Sequence, residues 1–264
     1  MIDLDMALRT LVARDGSDLH LKAGAVPMAR INGDLVPLGG NDWPALGPGE
    51  TEQILGEMLG EGPRLAEFEQ RHEIDVSRDI ADVARFRINA RRQRGGVALV
   101  ARAIPHRIRT IAELALPPVV ARMADEQRGI ILVTGTTGSG KSTTLAAMIN
   151  HINLSRAANI VTIEDPIEFV HQDLRSIVGQ REVGVDTVSF KDALRRVLRQ
   201  DPDVILIGEL RDEETVQTAM SAAETGHLVL STIHTLDAAE TINRMLEFFP
   251  PNHHQQVRAM MAST

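Results

Sequence analysis

Residues Ile130-Ile131-Leu132-Val133-Thr134-Gly135-Thr136-Thr137-Gly138-Ser139-Gly140-Lys141-Ser142-Thr143 decide the fold. The first five are apolar or β-branched and predict a buried strand. Gly135 to Ser142 match G-x-x-x-x-G-K-[ST] in full, and a helical pattern runs from Lys141 to Asn153. A strand, a glycine-rich turn and a helix in that order form a phosphate cradle. The glycines let backbone N–H groups turn inward onto phosphate oxygens without a Cβ clash. The helix N-terminus adds a positive partial charge. Lys141 reaches toward the β- and γ-phosphates of a nucleotide, and the Ser142 hydroxyl suits Mg2+. Gly135, Thr136, Thr137, Gly138, Ser139, Gly140 and Thr143 complete the binding set. The chain has three lysines (Lys22, Lys141, Lys191) against 25 arginines. A lysine here, in a chain that otherwise uses arginine, fits a need for a compact ammonium.

Working outward, strands alternate with amphipathic helices. Strands are predicted at Asn159–Ile163, Val204–Ile207 and His227–Thr232. Helices are predicted at Ser189–Gln200, Asp212–Thr225 and Asp237–Phe249. This alternation predicts a parallel sheet with helices on both faces, which binds ligands outside the carboxyl ends of its strands. Two strands end in carboxylates. Pro166 stops the first, leaving Glu164 and Asp165 at its exit. The second, Val204-Ile205-Leu206-Ile207-Gly208-Glu209, carries the pattern in which one carboxylate holds Mg2+ through water and another orients or deprotonates the attacking water. Capping is the alternative for any of these acids, and it suits Asp212 best. Glu164 and Glu209 read as functional, on the expectation that the cradle lies on an adjacent strand. His234 ends a third strand, where it serves either as a γ-phosphate donor or as a structural histidine. His227, at the start of that strand, reads as structural.

Before the cradle the texture changes. Short apolar pieces are cut by turn signals at Gly33-Asp34, Gly39-Gly40-Asn41-Asp42, Gly47-Pro48-Gly49 and Gly95-Gly96. Strands are predicted at Asp18–Leu21 and Arg85–Asn89, and helices at Met1–Arg14 and Thr51–Leu59 after a stop at Pro48-Gly49. These make a small α+β domain over residues 1–107. Ile104–Pro118 is rich in proline and isoleucine, and residues 108–118 serve as the linker to a second domain at 119–264. Arg85, Arg87, Arg91, Arg92 and Arg94 fall within ten residues, with Arg85, Arg87 and Arg91 on one strand face. That face is solvated, makes contacts to a neighbour's phosphates, or forms a nucleic-acid strip, the last disfavoured because no aromatics interleave with the arginines.

Composition excludes several classes. Hydrophobic residues are 43% and charged residues 24%, as in a folded globular chain rather than a disordered one. The net charge of −8 argues against a nucleic-acid coat, and seven aromatics give base stacking little to use. No cysteine is present, so disulfides, thiolate zinc sites and cysteine catalysis are ruled out. No apolar run approaches the roughly 20 residues of a spanning helix. The N-terminus carries no signal-peptide pattern, so the expected location is the cytoplasm.

Four boxes then resemble one family in the family's order. Leu198–Asp212 (LRQDPDVILIGELRD) is similar to the signature of the type II/type IV secretion ATPases. Ile163-Glu164-Asp165-Pro166-Ile167-Glu168 resembles their aspartate box, and Gly226–Thr235 (GHLVLSTIHT) their histidine box. Ser17-Asp18-Leu19-His20-Leu21, Arg85–Asn89 and Glu168-Phe169-Val170-His171 are similar to the PilT-type twitching-motility (pilus retraction) ATPases. The resemblance implies an α/β fold: a RecA-like P-loop NTPase core with an N-terminal PAS-like α+β domain. It implies ATP and Mg2+, a homohexamer, and action on a pilus platform protein at the cytoplasmic face of the inner membrane. Nucleic acid is not an expected partner. It also implies catalytic roles for Glu164, Glu209 and His234, with Glu209 near the metal, and phosphate contacts from Arg87 and Arg102. Arg85 and Arg94 are weaker candidates. Absence of a long N-terminal extension and of a tetracysteine element favours retraction over pilus assembly or type II secretion. The alternatives are those two activities, a nucleic-acid translocase, or a nucleotide-gated scaffold with little turnover. The family continues past the histidine box, so the chain reads as C-terminally truncated. Val257, Met260 and Met261 are expected to leave an uncovered apolar helix face, weakening ring formation.

Overall fold

The computed structural model describes residues 2–40, 43–105 and 107–264. Met1, His106 and part of one turn signal, Asn41-Asp42, lie outside the described residues. The chain divides into two compact units, Met1–His106 and Arg107–Thr264.

In the first unit, helix α1 (Leu4–Ala13) starts behind an Asp3 cap and leads into strand β1 (Gly16–Lys22). Strands β2 (Met28–Ile31) and β3 (Asp34–Pro37) follow, then helices α2 (Pro48–Leu59) and α3 (Pro63–Arg71). Strands β4 (Glu73–Ile80), β5 (Ala84–Gln93) and β6 (Gly96–Pro105) complete an antiparallel sheet of order β3-β2-β1-β6-β5-β4. Helix α2 begins at Pro48, three residues earlier than expected. Pro48 sits in the first turn, where its missing N–H costs nothing, and Glu50 reaches back to the Gly47 N–H. Helix α3 has no cue in the sequence reading. It holds one buried residue, Phe68, too few for a visible period. Strand β6 also continues through Ile104 to Pro105, so the strand takes the first residues of the stretch read as linker.

Period-two alternation explains how this sheet is covered. Ala84, Phe86, Ile88 and Ala90 of β5 point into a core shared with Leu8 and Leu11 of α1, Ile54 and Leu55 of α2, and Phe68 of α3. Arg92 has the same parity but stands at the core's rim. It pairs with Glu52 and Glu69 and lies 5.1 Å from the Phe68 ring centroid. Arg92 therefore fastens α2 and α3 to the sheet. Arg94 occupies a two-residue hairpin turn with Gly95, both at positive φ, the geometry that matches strand twist.

The second unit contains helix α4 (Pro118–Ala124), strand β7 (Gly129–Thr134), helix α5 (Lys141–Ser155) and strands β8 (Asn159–Glu164) and β9 (Ile177–Glu182). Helix α6 (Phe190–Val197), strand β10 (Val204–Ile207), helix α7 (Glu213–Glu224), strand β11 (Leu228–Ile233) and helices α8 (Ala238–Glu247) and α9 (His254–Ser263) follow. All five strands are parallel, in the order β7-β11-β10-β8-β9. Strand β9 was not expected. Its burial is mixed, and it is an edge strand whose pattern Gly179-Gln180-Arg181 gives no apolar period.

Each face of this sheet has its own core. Val204 and Leu206 of β10 join Ile160 and Leu228 against α4 and α5. Ile205 and Ile207 join Val161, Ile163 and Val229 against α6, α7 and α8. Val257 of α9 is buried in the second core, and Met260 and Met261 pack on it. This corrects the expected uncovered face: α9 lays its apolar stripe on the unit's own core, beside α7.

Helices α6, α7 and α8 each begin behind a side-chain cap, from Ser189, Asp212 and Asp237. Asp212 accepts the Thr215 N–H at 2.9 Å, the capping role expected of it. Asp212→Ala should therefore lower unfolding free energy by about 1 kcal/mol, while Asp212→Asn retains most of it. Urea denaturation monitored by circular dichroism checks both.

Candidate active site

Strand register brings the sequence-predicted groups of the second unit to one edge. Ile163, Ile207 and Ser231 are aligned partners, and Ile233 is aligned with Thr134. The residues that follow are Glu164, Gly208-Glu209, His234 and Gly135. The cradle, both acidic exits and the histidine thus share the carboxyl edge of one sheet. The expectation that β7 lies next to the acidic strands is corrected: β11 separates β7 from β10, and β8 lies one strand further away. The strand between them is the one that His234 follows.

The cradle has the backbone its glycines allow. Gly135, Gly138 and Gly140 have φ of 139°, 78° and 93°. A Cβ on Gly135 would meet Ser139 Oγ at 2.6 Å, so the loop's closure depends on glycine there. Lys141 Nζ donates to the carbonyls of Gly135 and Thr136, both at 2.9 Å. The ammonium is folded onto its own loop, between the glycine turn and the α5 N-terminus. Ser142 and Thr143 occupy the first turn of α5.

Glu209 is held from two sides. Its carboxylate contacts the Arg211 guanidinium, and Oε2 lies 3.2 Å from His234 Nε2. Arg211 also reaches Asp165 Oδ2 at 3.4 Å and stands 5.8 Å from the Phe190 ring centroid. Arg211 thereby links both acidic exits. The sequence placed it in a motif without giving it a role. Its signal was an arginine two residues after a strand-end carboxylate. His227 instead bonds the Ala222 carbonyl at 2.9 Å at the far end of β11, as expected of a structural residue.

Glu164 is half-buried. Thr162 Oγ1 donates to its Oε1 at 2.7 Å and Gln180 Nε2 donates to the same oxygen at 3.1 Å. Burial dominates and raises the pKa of this carboxyl above the ordinary range, against the lowering effect of these donors and of the Glu168 N–H. The loop after Glu164 is tied down by Asn153 at the end of α5. Its side chain donates to the Gln172 carbonyl and accepts the N–H groups of Leu174 and Ser176. Nothing in the sequence marked Asn153, Thr162 or Gln180, because their partners lie on other elements or on the next loop.

Arg87 and Arg102 lie in the first unit, directly opposite each other on β5 and β6. Arg102 Nε donates to Asp18 Oδ1 at 2.8 Å, although its side chain is 72% exposed. Burial works against the Asp18 charge, but the Ser17 hydroxyl and Arg102 outweigh it and hold the pKa low. Arg87 is exposed, and among the described residues no ion pair engages it. Two guanidinium groups facing each other across a ladder repel. Asp18 offsets part of that repulsion from the Arg102 side.

The model of the family described as type II/IV secretion system protein matches residues 84–261. The type IV pilus retraction ATPase PilT of Pseudomonas aeruginosa is 44% identical over 263 residues, covering all of this chain and 75% of that protein. A twitching motility protein of Neisseria gonorrhoeae is 45% identical over 257 residues, 97% of this chain and 68% of its own length. Among solved structures, the pilus retraction motor PilT with bound ADP superposes with a TM-score of 0.92 at 45% identity, covering 99% of this chain and 76% of that one.

His171 gives a pH dependence. Burial depresses its pKa from 6.5 to about 4. Between those values the unfolded chain binds a proton that the folded chain refuses, so stability falls as pH drops through that window. His171→Gln should flatten the loss between pH 6.5 and 4.5, an effect on the order of 2 kcal/mol. Denaturant midpoints across that pH range are the check.

Proposed function

The chain belongs to the type II/IV secretion system protein family, and on that premise we propose that it is a motor ATPase powering type IV pilus retraction. One observation carries the reading: the phosphate cradle, Glu164, Glu209 and His234 share one edge of a parallel sheet. The relatives' names, pilus retraction ATPase and twitching motility protein, supply the work to which hydrolysis is coupled.

The reaction is in-line attack of water on the γ-phosphate of ATP, catalysed by positioning and charge stabilisation. Lys141 leaves its own loop carbonyls for the phosphate oxygens, which the cradle N–H groups also meet. Glu164 takes the proton of the attacking water, and a raised pKa suits a base at neutral pH. His234 donates toward the γ-phosphate and reports its loss to Glu209. Ser142 and Glu209 offer hard oxygen donors and would be the residues that hold Mg2+. That ion would neutralise charge on the phosphates.

Arg87 and Arg102 act on a neighbouring subunit's nucleotide within a homohexamer, and a PAS-like assignment of residues 1–107 with a RecA-like one of 119–264 fits this division of labour. Among the described residues no helix is long and apolar enough to cross a membrane. The motor works at the cytoplasmic face of the inner membrane on a pilus platform protein.

Lys141→Ala should abolish nucleotide binding with the fold intact, read by a fluorescent ATP analogue. Glu209→Gln should retain ATP and lose on the order of 10² in turnover. Parent-level phosphate release from both would overturn the reading. Arg87→Ala should slow hydrolysis, and mixing it with Glu209→Gln subunits should restore part of the activity, because some borders then pair intact groups. Confirmed mixed rings without rescue would place Arg87 outside the reaction.

A further inference from the structure

The side chain of Gln180 is fully committed. Its Oε1 accepts the His171 N–H at 2.8 Å, and its Nε2 donates to the Phe169 carbonyl at 2.8 Å and to Glu164 Oε1 at 3.1 Å. These partners fix the amide's orientation. An N–H must meet the oxygen, and two acceptors must meet the NH2 group.

Strand pairing puts Gln180 there. Thr162 on β8 and Gln180 on β9 are direct cross-strand partners, and Glu164 follows Thr162 by two residues on the same face. Ile160, of that same parity, belongs to the core beneath α5, the helix that starts in the cradle. Thr162 and Gln180 therefore converge on one carboxylate oxygen from beneath and from beside it. The loop carrying Phe169 and His171 is stitched to the same amide, so loop position and carboxylate aim are coupled.

A base in a desolvated site has two needs. It must stay ionised, which burial opposes, and it must point at the water it deprotonates. Neutral donors meet both needs without placing a competing cation beside the carboxylate.

We propose that Gln180 is a positioning residue of the hydrolytic reaction, aiming the Glu164 carboxylate jointly with Thr162. The proposal rests on the reading of Glu164 as the base. The titratable and charged groups around Glu164 are Glu168 in the following loop, Glu182 opposite it on β9, Asp165 beside it, Glu209 and Arg211 at the β10 exit, and His171 behind Gln180. The substitutions below leave all of them in place.

The test is steady-state ATP hydrolysis by the full chain across pH, with ATP affinity measured separately. Gln180→Met keeps the size but removes both donors and the acceptor. It should lower kcat about tenfold or more, leave ATP affinity within about twofold, and move the acid limb of the kcat profile up by about one pH unit. The sign follows because losing a donor favours the protonated carboxyl. If Gln180→Met does not fold, Gln180→Glu decides the matter. It is isosteric and keeps an acceptor for the His171 N–H, and its own charge should push the acid limb up further. Glu164→Gln is run alongside. If it is inactive while the Gln180 variants keep the parent kcat and acid limb, the inference is wrong and the base reading stands. A loss of ATP affinity matching the loss of kcat, with an unmoved acid limb, also overturns it as a merely structural effect. Parent-level turnover by Glu164→Gln removes the base reading itself, and the inference with it.

Discussion

Parallel pairing of β7, β11, β10 and β8 in one register is the constraint on which the rest depends. Backbone hydrogen bonds fix the strands axially, and alternation fixes which side chains face each helical layer. Given that register, residues distant in sequence have little choice about where they end. Glu164, Glu209, His234 and the glycine turn fall at one edge because Glu164 ends its strand and the others follow theirs within two residues. A slip of one residue on β10 would send Ile205 and Ile207 to the wrong core and move Glu209 off the edge.

Charge at that edge is balanced locally. Arg211 bridges Glu209 and Asp165, His234 approaches Glu209 from β11, and Lys141 is held by carbonyls of its own loop. Each of these side chains therefore has an anchor within the second unit. Glu164 is different, since neutral donors from Thr162 and Gln180 hold it. The contrast separates groups that stabilise charge from the one proposed to move a proton.

The first unit applies the same alternation to an antiparallel sheet. One face of β5 carries Phe86 and Ile88 under three helices, and the other carries Arg85, Arg87 and Arg91. Asp18 partly neutralises Arg102, while Arg87 stands opposite with its charge exposed. A face of that kind keeps its charges in water while the opposite face builds the core.

The sequence alone determined the strands and helices with strong periods, the cradle from Gly135 to Thr143, and the acids at the strand ends. Those features are local, because turn chemistry and helix capping are settled within a few residues. It mislaid α3 and β9, whose few buried positions leave no period, and it left Met260 and Met261 uncovered because their cover comes from distant elements. It also put the cradle next to the acidic strands, because sheet order depends on crossovers rather than on any single segment. Only the tertiary structure decided that β11 lies between them, that Arg211 joins two exits, and that Gln180 reaches Glu164. The Gln180–Glu164 and Arg211–Asp165 contacts join residues 16 and 46 positions apart, and they exist only after the strands have paired.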